Sequence, residues 1–313
     1  MNASQRSRAN TFAALELDRA AERRADTAWL QAVEHAPGAR YLLLDADGQL
    51  LVEPGHDAPQ LLDAAKRWHI APDLPASLLG VHGERAWFVL HLDARPTDSV
   101  LPTSVRRMGL RAAGNSFDAF NAGLAAYACG LAQWQDATRY CSACGAPLAL
   151  THAGHRALCT SANCGREHYP RTDPAVIMLV EHDGACLLGR QSGWPAGRYS
   201  TLAGFVEPGE ALEDAVRREV AEEAGVCVEG CDYHSSQPWP FPASLMLGFN
   251  AWASGREVNL RDGELVDARW FTPQEIVRAV RGGELMLSSP LSISHRLISD
   301  WLRRREDIDL VNL

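Results

Sequence analysis

The chain has 313 residues, enough for two domains with cores of their own. A formal net charge of −9 and a sequence pI near 5.7 argue against strong nonspecific binding to nucleic acid, though not against a small site with a local basic patch. No secretory apolar segment and no long apolar run occurs, so no membrane span is expected.

In chain order, the first ten residues are polar and are expected to be mobile, and 11–30 reads as a charged helix. Tyr41–Val52 looks like a hairpin, with Leu42–Leu44 and Leu50–Val52 flanking the turn signal Asp47-Gly48. Gln60–Trp68 is helix-like, Ala86–Leu92 reads as a strand, and Phe117–Trp134 has helical composition. Residues 1–136 are taken together as one α+β domain with no visible catalytic motif; an altered second copy of the C-terminal domain is one explanation, which no sequence repeat supports.

Four cysteines follow, as Cys141-x2-Cys144 and Cys159-x4-Cys164. Two close pairs of thiolates can close a tetrahedral structural Zn2+ site over 137–169. His152, His155 and His168 are possible substitute ligands, and free thiols or disulfides are the weaker alternatives. The remaining cysteines, Cys129, Cys186, Cys227 and Cys231, show no framework spacing, so a reduced, cytoplasmic compartment fits best.

Beyond the cysteines, Ala175–Val180, Cys186–Gly189, Tyr199–Ala203, Leu245–Ser254 and Val266–Phe271 read as strands, with a turn at 182–184. Pro273–Arg281 and Ile293–Arg305 read as helices. The run 211–224 is helical in composition, opened by the turn signal Pro208-Gly209 and closed by Gly225. At about 100° per residue, Leu212, Ala215, Val216 and Val220 form an apolar stripe. Glu219 and Glu223 fall within it and Glu222 at its edge, while Asp214, Arg217 and Ala221 face solvent. Buried carboxylates need partners or a metal, and Glu219 and Glu223 repel one another at i,i+4. A hard cation such as Mg2+ or Mn2+ answers both problems. The bland alternative is a solvated acidic helix with Arg218–Glu222 and Arg217–Glu213 surface pairs.

Residues 204–226 fit G-x5-E-x7-R-E-U-x-E-E-x-G-U, where U is apolar, at Gly204, Glu210, Arg218, Glu219, Val220, Glu222, Glu223, Gly225 and Val226. This resembles the Nudix box of metal-dependent hydrolases that cut nucleoside-linked diphosphates. Residues 236–244 read Ser-Gln-Pro-Trp-Pro-Phe-Pro-Ala-Ser, a proline-stiffened strip carrying two large aromatics. With the box upstream, this strip resembles the NADH pyrophosphatase subfamily, also described as NAD-capped RNA hydrolases. The resemblance implies a fold of three parts: the N-terminal α+β domain at 1–136, a zinc ribbon at 137–169, and a Nudix α/β/α sandwich with a mixed sheet at 170–313.

The resemblance also implies a chemistry. It is hydrolysis of the pyrophosphate of NAD(H) to a nicotinamide mononucleotide and AMP, or removal of NAD caps from RNA. Glu219, Glu222, Glu223 and the carbonyl of Ala203 would hold Mg2+ or Mn2+, and Arg218 would orient a glutamate. Gln237, Pro238, Trp239, Pro240, Phe241, Pro242, Ala243 and Ser244 would contact the dinucleotide. Phe205 is a candidate for stacking on nicotinamide, its alternative being a core aromatic. Tyr169, Glu264, Ser294 and Arg106 carry over as further substrate contacts. A homodimer is expected by the same analogy. The rival readings are a Nudix hydrolase for another dinucleotide such as ADP-ribose, and an inactive nucleotide-binding module.

Overall fold

The computed structural model describes residues 1–53, 55–92, 105–260, 263–310 and 313. The chain divides into two compact units: Met1–Ala13 with Asp173–Pro238 and Ser244–Leu313, and Ala14–Thr172 with Trp239–Ala243.

The first unit is built on a six-stranded mixed sheet. Asp173–His182 lies at its centre, parallel to Ser244–Ala253 and antiparallel to Ala185–Gln191 and Leu202–Phe205. Val228–Trp239 and Leu265–Phe271 form the two edges. Successive side chains of the central strand alternate between faces. Val176, Met178 and Val180 pack with Ala215, Val216, Val220 and Ala224 of the Leu212–Ala224 helix. Ile177 and Leu179 pack with Ile293, Leu297, Ile298 and Trp301 of the Ile293–Glu306 helix. Helices thus cover both faces, which is the expected α/β/α sandwich.

The N-terminal residues depart from expectation. Ala3–Arg8 is a helix with a capping box between Asn2 and Gln5. Arg6 Nε donates to the His234 carbonyl at 2.9 Å, Asn10 Nδ2 to the Ser236 carbonyl at 2.9 Å, and the Ser236 amide to Ser7 Oγ at 3.0 Å. These residues are therefore anchored, and they cover the exposed edge of Val228–Trp239, where unpaired backbone groups would otherwise remain. That strand was not anticipated. Pro238 is tolerated in it because an edge strand has one side without a ladder partner, and 240–243 turns rather than following a polyproline path.

In the second unit the 11–30 helix is also corrected. Ala21–Arg23 is one 3-10 turn, and a helix runs only over Thr27–His35, capped by Asp26. The six strands here are Arg40–Leu44, Leu50–Val52, Leu61–Asp63, Ala76–His82, Arg85–His91 and Arg106–Met108. The hairpin over Tyr41–Val52 forms as expected, with Leu44 opposite Leu50. The 60–68 helix is displaced, since Leu61–Asp63 pairs with Arg40–Leu44 and the helix is Ala64–Ile70. Ala119–Ala137 is a long buried helix leading to the cysteines. Leu148–Thr151, Arg156–Cys159 and Glu167–His168 then make a small antiparallel sheet. No helix among the described residues is long and apolar enough to cross a membrane.

Candidate active site

The Leu212–Ala224 helix ends at Gly225, whose φ of 69° is the left-handed conformation that closes a helix. Its inward face carries Glu219 and Glu223, 9% and 3% exposed, while Glu222 stays in solvent. Glu219 lies against the backbone of Gly204 on the neighbouring strand. A Cβ on Gly204 would stand 1.9 Å from the Glu219 carboxyl carbon, so the close approach needs a glycine. Ala203 is paired with Ile177 in the same strand, next to this contact.

Arg218 ties the acids together. Its Nε and Nη2 grip both Glu210 oxygens, at 2.6 and 2.9 Å. Nη1 donates to Glu219 Oε1 at 2.9 Å and Glu222 Oε2 at 3.0 Å, and Nη2 also donates to the Phe205 carbonyl at 2.8 Å. Its donors are thus directed at three carboxylates and one carbonyl, a forked arrangement lysine could not reproduce. The Arg218–Glu222 bond forms despite the weaker helix orientation, and Arg217 pairs with Asp214 rather than Glu213. The guanidinium of Arg218, helped by the Glu207 amide, holds the Glu210 carboxyl down at about 2. Burial instead pushes Glu219 above the usual carboxylate range, against the pull of Arg218; the charges of Glu222 and Glu264 act in the same upward direction. Two inward acids, Glu219 and Glu223, and an exposed third, Glu222, are oxygen donors of the kind a hard divalent cation takes, although among the described residues only the four cysteines already sit close enough together to hold an ion.

Phe205 is 59% exposed at the strand end and is not a core aromatic. Glu264 is exposed and electrostatically coupled to Glu219. Two of the expected substrate contacts have side chains held inside the protein. Gln237 is fully buried; its Nε2 donates to the Thr11 and Leu291 carbonyls at 3.0 and 2.7 Å, and its Oε1 accepts from the Ile293 amide at 2.8 Å. Its side chain therefore fixes the root of the aromatic strip and has no donor left for a ligand. Ser294 is also fully buried, with Oγ 2.9 Å from Ser200 Oγ and 3.0 Å from Thr201 Oγ1, so it braces the strand before Ala203 and is closed to substrate.

The tip of the strip belongs to the second unit. Trp239 and Phe241 are half-buried and meet edge to face, with centroids 4.9 Å apart. Pro240 is buried against Gly130, Pro242 is exposed, and Ala243 and Ser244 are half-buried. Tyr169 is 52% exposed, with its hydroxyl on Glu167 and the Arg156 guanidinium 5.2 Å from its ring centre. Arg106 is a surface residue 3.4 Å from Asp57.

The four cysteine sulfurs lie within 4.8 Å of one another, with Cys141–Cys164 at 3.7 Å and Cys144–Cys159 at 3.4 Å. A zinc ion about 2.3 Å from each sulfur needs sulfurs about 3.8 Å apart. The Ala143 amide and His168 hold the Cys141 thiol down at about 5. The Ser161 amide lowers Cys159, but burial and the other three thiols outweigh it and push it up to about 12. Zn2+ takes the thiolate form of each cysteine, and its charge supplies what four neighbouring thiolates would otherwise lack. Among the described residues the cluster close enough to hold an ion comprises the four cysteines without a histidine, and His155 Nε2 is instead hydrogen-bonded to the Leu78 carbonyl at 2.6 Å.

Known proteins supply the wider comparison. Families described as a NUDIX domain, an NADH pyrophosphatase zinc ribbon domain and an NADH pyrophosphatase-like rudimentary NUDIX domain match residues 170–287, 136–169 and 38–134. The NAD-capped RNA hydrolase NudC of Mycobacterium bovis (strain BCG / Pasteur 1173P2) is 38% identical over 278 residues, covering 85% of this chain and 86% of that protein. The chain belongs to the NADH pyrophosphatase branch of the NUDIX family. The NAD-capped RNA hydrolase NUDT12 of Homo sapiens is 42% identical over 193 aligned positions, in a match that covers 58% of this chain and only 42% of that longer protein. Among solved structures, the NUDIX hydrolase from Nitrosomonas europaea covers 53% of this chain and 92% of its own, at 23% identity and a TM-score of 0.44. One contact of the aromatic strip was invisible in the sequence. Arg111, in the Leu110–Ser116 helix, stands over both rings of the aromatic tip. No motif signals it.

Proposed function

We propose that this chain hydrolyses the pyrophosphate bond of NAD(H), releasing a nicotinamide mononucleotide and AMP, and that it removes NAD caps from RNA 5′ ends. The observation that carries this reading is the pair of inward carboxylates, Glu219 and Glu223, with Glu222 beside them on one guanidinium. Such a cluster has little structural merit of its own and fits a cation that meets phosphate. The identity to NudC over 85% of the chain supports the substrate.

Glu219, Glu222, Glu223 and the Ala203 carbonyl would hold Mg2+ or Mn2+. Bound there, the ion supplies neutralisation of phosphate charge and a water of lowered pKa. Arg218 keeps the carboxylates aimed, and Glu264 adds negative charge at the rim. Phe205 offers an exposed ring for stacking on nicotinamide. Trp239, Phe241 and the backbone from Pro238 to Ser244 receive the dinucleotide, with Tyr169 as a further contact. Arg106, an exposed cation beside Asp57, is carried over as a further substrate contact. Zn2+ on Cys141, Cys144, Cys159 and Cys164 is structural. The division 1–136, 137–169 and 170–313, a homodimeric state, a cytoplasmic location and no membrane partner complete the reading.

A product assay tests it. Metal-loaded protein is given NADH, NAD+, NADPH, ADP-ribose and NAD-capped RNA, and products are separated chromatographically. AMP and reduced nicotinamide mononucleotide from NADH are expected. Intact NADH and NAD+ after incubation with both metals would overturn the proposal.

A further inference from the structure

Arg111 lies in the first turn of a seven-residue helix whose N-cap, Gly109, offers no side-chain bond. A cation there opposes the helix dipole, so its charge does not stabilise its own helix. Its side chain is exposed, and among the described residues no hydrogen bond or ion pair reaches its guanidinium. What it does touch is specific: the guanidinium carbon is 4.0 Å from the Phe241 ring centre and 5.1 Å from that of Trp239. These rings are themselves locked edge to face, and Pro240 between them is buried with Gly130 beneath it. A planar cation over two rings fixes their orientation, and its N–H edges stay open to solvent.

We infer that Arg111 is a positioning residue for the dinucleotide. It holds the Trp239–Phe241 pair in the orientation that receives the ligand, and it acts on the ligand through those rings. This rests on the proposed role of the strip in dinucleotide binding. The chemistry needs both the flat shape and the charge. Lysine keeps only the charge and glutamine only the plane, so each restores part of the effect.

The experiment measures NADH affinity in a Glu223→Gln background, which removes turnover, with and without Arg111→Ala, Arg111→Lys or Arg111→Gln. Tryptophan emission is recorded in parallel, and Trp239→Phe identifies the contribution of that ring. Arg111→Ala should weaken binding about fivefold to tenfold and shift the Trp239 emission, with Lys and Gln falling between. In the Glu223-intact protein the same substitution should raise KM and leave kcat within about twofold. Equal NADH affinity with and without Arg111, or a fall in kcat at constant KM, overturns the inference. If NADH binds and responds to Arg111 but is never cut, the proposed hydrolysis fails while this role stands. If NADH binds none of the proteins, both fail.

Discussion

The two six-stranded sheets have the same wiring and opposite chemistry. In each, the first strand is central, antiparallel to the second and third and parallel to the fifth; the fourth pairs with the fifth and the sixth with the second. In each, one helix follows the third strand and two follow the sixth. In the C-terminal unit that first helix has thirteen residues and turns two carboxylates inward. In the N-terminal unit it has seven residues, Ala64–Ile70, contains no acid, and buries the cation Arg67. The Arg67 guanidinium is bonded to the Ala71 and Leu74 carbonyls and lies 4.0 Å from the Trp68 ring centre. The third strand of that sheet, Leu61-Leu62-Asp63, also lacks a glycine to admit a carboxylate. One topology therefore serves two ends. On the proposed reading the acids in one copy are tolerated for a ligand, while the arginine in the other ties its own backbone. The description rudimentary NUDIX domain for 38–134 agrees with that contrast.

The contrast can be broken most sharply at Glu223. Glu223→Gln should reduce NADH turnover about a thousandfold or more, with circular dichroism and thermal stability held or improved, because the lost charge is a buried one. A variant retaining most of its activity would show that the acids are not there for catalysis. Arg67→Met should do the reverse. Two carbonyls lose their donor, so the N-terminal unit should lose about 4 kcal/mol in a urea titration, while molecules that remain folded keep their kcat. The smallest expected effect is a pH dependence in the N-terminal unit. Burial, with Arg24 and Arg19 nearby, holds His155 down at about 4, below its ordinary 6.5. Between those values the unfolded chain binds more protons. The stability from neutral His155 is therefore complete above about 6.5 and is lost as pH falls towards 4. The loss is about 3 kcal/mol at most. His155→Gln should flatten the slope of urea midpoint against pH across that window, and an unchanged slope would refute the assignment.

The sequence made the Leu212–Ala224 helix readable because three signals agree there: the helical period of its apolar stripe, the closing glycine, and acids where the stripe should be apolar. The cysteine spacing was equally informative, since ligand number and type fix tetrahedral geometry. Other features depend on tertiary partners that a local reading does not contain. Residues 1–10 look like a loose polar tail because what holds them is the His234 and Ser236 carbonyls, more than two hundred positions away. The prolines of 236–244 hid an edge strand, and the hydrophilic Gln237 gave no sign that it would be fully buried with its amide bonded on three sides. The shared wiring of the two sheets was hidden too, because strand order depends on pairing and many sequences satisfy one pattern of alternation. Arg111 is the plainest case, a surface cation whose meaning lies in two rings from a distant segment.

The Arg218 fork also limits how such a site can change over generations. Glu210 alone receives two of its bonds, and Glu219, Glu222 and the Phe205 carbonyl depend on the same planar group. A lone replacement at either end strands several partners at once, and their losses compound instead of adding. Descendants would have to exchange arginine and glutamate as a matched set, so this corner should drift in jumps or not at all.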